Sequence, residues 1–335
     1  MRIGITFDLK NTTPLPDHAP DDYQEEFDSP ATVEAIAAVL RGMGHDVVEL
    51  GDGRDMLQHV LAAPPDFVFN IAEGQGVGRS REARVPAVLE MLGIPYTGSD
   101  PLTLAVTLDK DCAKRLVNSA GVTVARGLVV QPDDDLRTLP MELPYTAIVK
   151  PAWEGSSKGI RGKCVVETAL ELVAAVQEQR QGYRQPILVE EYIEGDELTV
   201  GVLGNDPPRV LGVMRVLPTV PEERFIYSLE VKRDWRRRVR YECPAKLPSA
   251  AYKAVEDAAL TAYRALGCRD VSRVDFRLRD GVPYFLEVNP LPGLNPDTGD
   301  IVILAGLIGM SHGQLVSGIL HAATRRHGMK PIAGA

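Results

Sequence analysis

Three apolar runs near the start of the chain, residues 2–7, 46–50 and 67–70, alternate with segments whose apolar residues recur at helical spacing. The first helical segment opens on Ser29-Pro30, a serine suited to the N-cap and a proline suited to the first helical position. It carries Val33, Ile36, Ala37 and Leu40 along one face, and Gly42 and Gly44 close it. Residues 56–61 supply a second helix between the second and third strands. Strand–helix–strand alternation demands a parallel sheet, because parallel neighbours need a crossover across the face of the sheet. In such sheets ligands collect beyond the carboxyl ends of the strands. Two loops fall there: the polar, Pro-rich stretch 11–27, which reads as a mobile loop, and the glycine-rich stretch 70–78. The second is not GxGxxG, so it does not specify a dinucleotide site. It reads either as a plain flexible loop or as one that touches substrate.

A chain of 335 residues accommodates two domains, or three small ones. The patterning predicts an α/β domain over 1–107, a central unit over 108–205 and a third over 206–330, the latter two of α+β character. The central unit begins with a helix capped by Asp109; the third contains a charged, aromatic segment at 221–241 and two strands at 272–278 and 283–288. Lys and Arg total 37 against 46 Asp and Glu, a net charge of −9, which argues against bulk affinity for nucleic acid or an anionic membrane. Cys112, Cys164, Cys243 and Cys268 are scattered with no CxxC pair, so zinc ribbons, redox dithiols and a disulfide scaffold are not expected. The longest apolar run, 301–310, is too short to cross a bilayer, and the N-terminus reads as a strand rather than a leader. A cytoplasmic location is the expectation.

Four segments carry chemistry. Lys150-Pro151-Ala152-Trp153-Glu154-Gly155-Ser156-Ser157-Lys158-Gly159 follows an apolar run, so a strand delivers Lys150 and a loop of small residues follows. Such residues let backbone N–H groups approach a phosphate, and the lysine adds a point charge. No Gly-Lys-Ser/Thr ends the loop, so it is not a Walker A motif, and a plain strand and loop stays open as the other reading. Next, Arg273-Val274-Asp275-Phe276-Arg277 and Phe285-Leu286-Glu287-Val288-Asn289 flank a turn at Arg279-Asp280-Gly281. A period of two puts Arg273, Asp275 and Arg277 on one face, and Glu287 with Asn289 on one face of the next strand. An antiparallel hairpin then gathers Asp275, Glu287 and Asn289, three oxygen ligands suited to Mg²⁺; the alternative is a salt-bridged, solvent-facing hairpin. In Leu291-Pro292-Gly293-Leu294-Asn295, Gly293 can take φ > 0 and aim a backbone N–H at a reacting centre beside Arg273. Finally, 188–197 forms a strand edge and a carboxylate-rich turn, suited to hold adenine and ribose or to be simply solvated.

The order IVKPxxEGSSKG, VEEYIxGxE, RVDF, FLEVNPLPG resembles the ATP-grasp superfamily and, within it, the D-alanine–D-alanine ligase family. Phe69-Asn70, Leu92-Gly93-Ile94-Pro95-Tyr96-Thr97-Gly98-Ser99 and Leu108-Asp109-Lys110-Asp111 agree, so the likeness covers about residues 70–293. It implies an ATP-grasp fold and an ATP-dependent ligase joining two amino acids through an acyl phosphate, by default D-alanine to D-alanine. The cofactors implied are ATP and two Mg²⁺ ions, with Mn²⁺ as a substitute; a homodimer is implied too. Lys110 and Lys150 would touch ATP phosphates under a loop containing Ser156 and Ser157. Glu190, Tyr192 and Ile193 would line the adenine pocket, with Glu197 on ribose. Lys232 resembles the phosphate-contacting lysine of the family's omega loop. Asp275, Glu287 and Asn289 would hold the metal ions. Arg273, the Gly293 amide, Lys232 and Ser156 would serve catalysis.

The amino-acid end departs from the family. The Glu that grips the first substrate's amine there lies in a Glu-Arg-Glu-Val-Ser-type segment; here the stretch reads Gln24-Glu25-Glu26-Phe27-Asp28-Ser29, leaving Glu26 or Asp28 as its replacement. Glu73-Gly74 replaces His-Gly, Arg233 replaces the Tyr after the omega-loop Lys, and Thr298 alone stands in for a Thr/Ser-rich run that receives the second substrate. Arg79, Arg81 and Arg84 fall where substrate walls would be. A ligase for another amino-acid pair is therefore the runner-up. An ATP-binding regulator without catalysis is a further alternative, opposed by the intact Asp275, Glu287 and Asn289; a nicotinamide dehydrogenase lacks its glycine fingerprint.

Overall fold

Strand β1 (Arg2–Thr6) is buried along both faces at Ile3, Gly4 and Ile5, as the central strand of a covered parallel sheet requires. In the computed structural model, which describes all residues except 13, 14, 18, 140–144, 223 and 330–335, it is followed by α1 (Pro30–Gly42), β2 (Asp46–Gly51), α2 (Gly53–Ala62) and β3 (Phe67–Asn70). The three strands are parallel, in the order β2-β1-β3. Ser29 caps α1 as its sequence predicts, its Oγ accepting from the Thr32 amide at 3.2 Å.

Helices α3 (Arg84–Leu92), α4 (Pro101–Leu108) and α5 (Lys110–Ser119) lead away from this sheet. Strands β4 (Gly127–Val130), β5 (Ala147–Pro151), β6 (Val165–Val166) and β7 (Ile187–Glu191) form a four-stranded antiparallel sheet in the order β4-β7-β5-β6, with α6 (Ala169–Tyr183) packed on it. The remaining strands are β8 (Asp196–Leu203), β9 (Arg209–Pro218), β10 (Val239–Glu242), β11 (Val271–Arg279) and β12 (Val282–Asn289). They make a five-stranded antiparallel sheet ordered β10-β9-β8-β11-β12. Short helices α7 (Leu229–Arg233) and α8 (Trp235–Arg238) lie between β9 and β10; α9 (Ser249–Ala265), α10 (Asp300–Leu307) and α11 (His312–Arg326) complete the chain.

Two placements differ from the sequence expectation. Strand β8, assigned by position to the central unit, pairs with β9 and β11 instead. Its Leu198, Val200 and Val202 share a core with Val255 and Ala259 of α9 and with Ala113 and Val117 of α5, so burial binds it to the larger sheet. The C-terminal helices, assigned by position to the third unit, reach back to the first. Leu315, Val316, Ile319 and Leu320 of α11 pack with Ile3, Ile5, Ile36 and Phe67 and cover the first sheet. Fully burying a side chain of this kind contributes about 1.5–3 kcal/mol, so these four join the two ends of the chain firmly. No single helix among the described residues is long and apolar enough to cross a membrane; α10 and α11 pass that test only as a pair bent by 110°.

Candidate active site

The hairpin of β11 and β12 forms as its pattern predicts. Asp275 stands opposite Glu287 and Arg273 opposite Asn289. Asn289 Nδ2 lies 3.4 Å from both Asp275 Oδ2 and Glu287 Oε1, so the three side chains converge. Thr199 of β8 donates to Asp275 Oδ1 at 2.9 Å. The Arg273 guanidinium lies 2.9 Å from Asp275, 3.1 Å from Asp300 and 3.7 Å from Glu287. Lys110 reaches Glu287 Oε2 at 3.2 Å and also donates to the Glu154 carbonyl. Burial alone would push the Glu287 carboxyl up; Lys110, Arg273 and Lys150 instead hold it well below the usual carboxylate range. Asp275 is raised by burial, with Arg273 opposing. Among the described residues no three His, Cys, Asp or Glu gather as a metal cluster. Two carboxylates and an amide oxygen, already attracting a guanidinium and an ammonium, nevertheless make a hard-oxygen donor set that fits Mg²⁺.

Beside the hairpin lies an open cleft of about 710 Å³ between the two antiparallel sheets. Lys150 leaves β5 and meets Glu190 of the adjacent β7 at 2.5 Å; Lys114 of α5 meets the other oxygen at 2.8 Å. Burial would raise the Glu190 carboxyl, but the two ammonium groups hold it down at about 2. Tyr192 and Ile193 line the same cleft, and Tyr192 Oη donates to the Phe225 carbonyl at 2.9 Å. Glu197 also lines it, paired at 3.0 Å with Arg277, whose guanidinium stacks 5.1 Å from the Tyr192 ring centre. Lys232 enters from α7, 3.7 Å from Asp300 and 5.0 Å from the Tyr227 ring centre. Ser156 and Ser157 both hold left-handed backbone (φ 48° and 59°), a conformation that costs non-glycine residues about 1–2 kcal/mol each. Ser157 Oγ donates to the Tyr227 carbonyl at 3.0 Å, tying this loop to the segment before α7. Lys114, Tyr227 and Asp300 went unseen in the sequence. Only Arg277 had a signal, its shared parity with Asp275.

The amino-acid end is arranged differently from expectation. Glu26 is closed off: it accepts from the Gly155 amide at 2.5 Å and pairs with Arg81 at 2.8 Å and Lys158 at 3.2 Å. Its carboxyl is held at about 2, Arg81 and Lys158 outweighing a burial effect that would raise it. Arg81 is 1% exposed and also pairs with Glu154 at 3.3 Å. It is therefore a buried strut rather than a free substrate wall. Arg79 pairs with Asp109 at 2.7 Å, and Arg84 donates to the Gln75 carbonyl at 2.7 Å. Asp28 keeps an open face; burial pushes its carboxyl up to about 7, against the pull of Lys10 and with a push from Asp8. Glu73 lies at the same end, raised well above the ordinary range by burial and by Glu82 and Glu26. Thr298, with Asp28, Lys232 and Gly293, lines a wider basin of about 1160 Å³, its amide donating to Asn295 Oδ1 at 3.1 Å. Arg233 spans from α7 to Glu25 at 2.7 Å and Asp21 at 3.3 Å.

Gly293 corrects one expectation. It is not among the positive-φ glycines, and a Cβ added there would meet nothing within 4 Å. The glycine this turn requires is Gly299, where a Cβ would fall 2.3 Å from the Gly293 carbonyl oxygen. Folding that segment back on itself shapes the turn without a left-handed residue at 293.

Residues 116–321 match the family described as D-ala D-ala ligase C-terminus. The chain is 35% identical over 315 residues to the uncharacterized protein y4sG of Sinorhizobium fredii (strain NBRC 101917 / NGR234), covering 90% of each. It is 36% identical over 295 residues to the D-alanine–D-alanine ligase of Chelativorans sp. (strain BNC1), covering 87% of this chain and 91% of that one. The crystal structure of the D-alanine–D-alanine ligase from Bacillus anthracis, complexed with ATP, superposes with a TM-score of 0.75 at 22% identity, covering 98% and 99% of the two chains. The fold is accordingly the ATP-grasp one that the motifs implied. Matched through most of its length, the chain belongs to the D-alanine–D-alanine ligase family.

Proposed function

We propose that this protein is an ATP-dependent ligase that joins two amino acids through an acyl phosphate, with D-alanyl-D-alanine as the default product. One observation supports this most: Glu287 lines both the 710 Å³ cleft and a 580 Å³ pocket that holds Arg273, Lys110 and Gly293. A nucleotide cleft and an amino-acid pocket thus share one wall, where phosphoryl transfer to a carboxylate needs them to meet.

In this reading adenine lies among Glu190, Tyr192 and Ile193, and ribose faces Glu197. Lys110, Lys150, Lys232 and the loop of Ser156 and Ser157 take the phosphates. Asp275, Glu287 and Asn289 would hold two Mg²⁺ ions, which neutralise phosphate charge and orient the γ-phosphoryl group. The first amino acid's carboxylate attacks the γ-phosphorus, and ADP leaves. The second amino acid's amine then attacks the acyl carbon, and phosphate leaves. Arg273 and the Gly293 amide face the oxyanion; one such donor is typically worth about 2.7–4 kcal/mol. The segments around Arg233 and Asp21 close over the site and keep water from the acyl phosphate. The same reading carries a homodimer in the cytoplasm, working on small molecules.

A second reading, a ligase for a different amino-acid pair, is favoured by the closed Glu26 and by Glu73 lining the pocket in its place. The test is ADP release screened over D- and L-amino acids, singly and paired, with the product mass determined. Amino-acid-dependent release is expected, and Glu287→Gln should abolish it. Undiminished release in that variant would remove the metal assignment.

A further inference from the structure

Once each cation near the amino-acid end is matched to its acid, two carboxylates are left over. Arg81 and Lys158 are taken by Glu26 and Glu154. Lys110 is taken by Glu287, and Arg273 by Asp275, Asp300 and Glu287. Glu73 and Glu82 line the 580 Å³ pocket with these groups, yet neither has a hydrogen-bond or ion-pair partner among the described residues. Glu82 is only 8% exposed. A carboxyl that deep and unpaired either keeps its proton or has its charge matched by a ligand. Glu73 also lines a second pocket of about 440 Å³, together with Asp28, Ile71, Leu294 and Val271.

The balance of groups narrows the ligand. The wall carries two carboxyls with no cation of the protein beside them, whereas a neutral amino acid brings one ammonium, and its carboxylate faces Arg273. We propose that the amino acid activated in this pocket is a diamino acid, its two ammonium groups paired with Glu73 and Glu82. This rests on the ligase reading and specifies its substrate class. Burial drives the Glu82 carboxyl up to about 8, opposed by Arg81 and Lys110, so with no cation beside it the group keeps its proton at neutral pH, and an arriving ammonium favours the carboxylate form.

The experiment compares alanine, 2,3-diaminopropionate and ornithine of both hands. ADP release gives kcat and KM for each; calorimetric titration onto the nucleotide-free protein gives binding without turnover. A diamino acid should exceed alanine of the same hand at least tenfold in kcat/KM, mostly through KM. In Glu82→Gln and Glu73→Gln that ratio should fall at least tenfold, a change a merely structural role would not produce. Alanine matching or exceeding every diamino acid, or ratios unmoved in both variants, overturns the proposal. Tighter binding of a diamino acid without ADP release would sustain the ammonium site and overturn the ligase reading. Binding of neither class overturns both.

Discussion

Removing Arg81 should be among the most damaging single changes in the molecule. Its guanidinium is 1% exposed, 2.8 Å from Glu26, 3.3 Å from Glu154 and 2.7 Å from the Trp153 carbonyl. Methionine fills much of the same volume but leaves Lys158 alone against two acids, so one buried negative charge goes uncompensated. Breaking a buried pair in this way costs about 3–5 kcal/mol. The Trp153 carbonyl also loses its donor, worth about 1–3 kcal/mol, though such losses do not simply add. With an unfolding entropy of roughly 2.1 cal/mol/K per residue, a loss of ~4 kcal/mol lowers the melting temperature by about 6 °C. Urea unfolding of wild type and Arg81→Met, followed by two spectroscopic probes, measures the loss. The decisive comparison is the double variant Arg81→Met with Glu26→Gln. Removing one acid restores balance with Lys158, and the glutamine carbonyl still accepts from the Gly155 amide. The double variant should therefore be more stable than Arg81→Met alone by about 1.5 kcal/mol or more. A loss under ~1 kcal/mol in the single variant, or no recovery in the double, would refute the account of this cluster as a balanced buried quartet.

Asp8 predicts a pH effect of opposite origin. Burial and the neighbouring Asp52 raise its carboxyl from 3.8 to about 7, against hydrogen bonds from the Gly74 amide and Gln75. A raised folded value means its favourable contribution is complete below about pH 4 and lost as the pH climbs through 7. Asp8→Asn keeps the acceptor for Gly74, so at pH 8 it should be more stable than wild type by roughly 2–4 kcal/mol, and nearly equal to it at pH 4. Denaturant titrations at the two pH values check this, and an equal gain at both would refute it. Arg233 predicts a kinetic effect: its bonds to Glu25 and Asp21, with Arg161 bonded to Asp21 and Glu230, clasp α7 and two loops over the site. Arg233→Ala should raise ADP release unaccompanied by product several-fold while changing stability by under ~1 kcal/mol, since exposed pairs contribute little. Product quantified against ADP tests it; an unchanged ratio would remove the clasp.

The nucleotide half of the site was legible because strand geometry is short-range. Asp275, Glu287 and Asn289 are separated by one turn, and a period of two settles their common face before any tertiary contact is known. Lys150 and Glu190 lie two positions apart across adjacent strands, since Ile148 pairs with Glu190 and Lys150 with Leu188. Their pairing follows once the strands are recognised. The amino-acid half has no such local rule. Glu26, Arg81 and Lys158 come from three loops, 55 and 132 residues apart from Glu26, and only the closed fold brings them together. Parity and propensity identify an acid in a loop; they do not tell whether a distant cation has already claimed it. Glu26 and Glu73 show the difference. Both are glutamates beyond the carboxyl ends of the first sheet, and both read as substrate-contact candidates. Arg81 and Lys158 close one and leave the other open, so the side chain available to a substrate is decided by which acid the buried cations reach first.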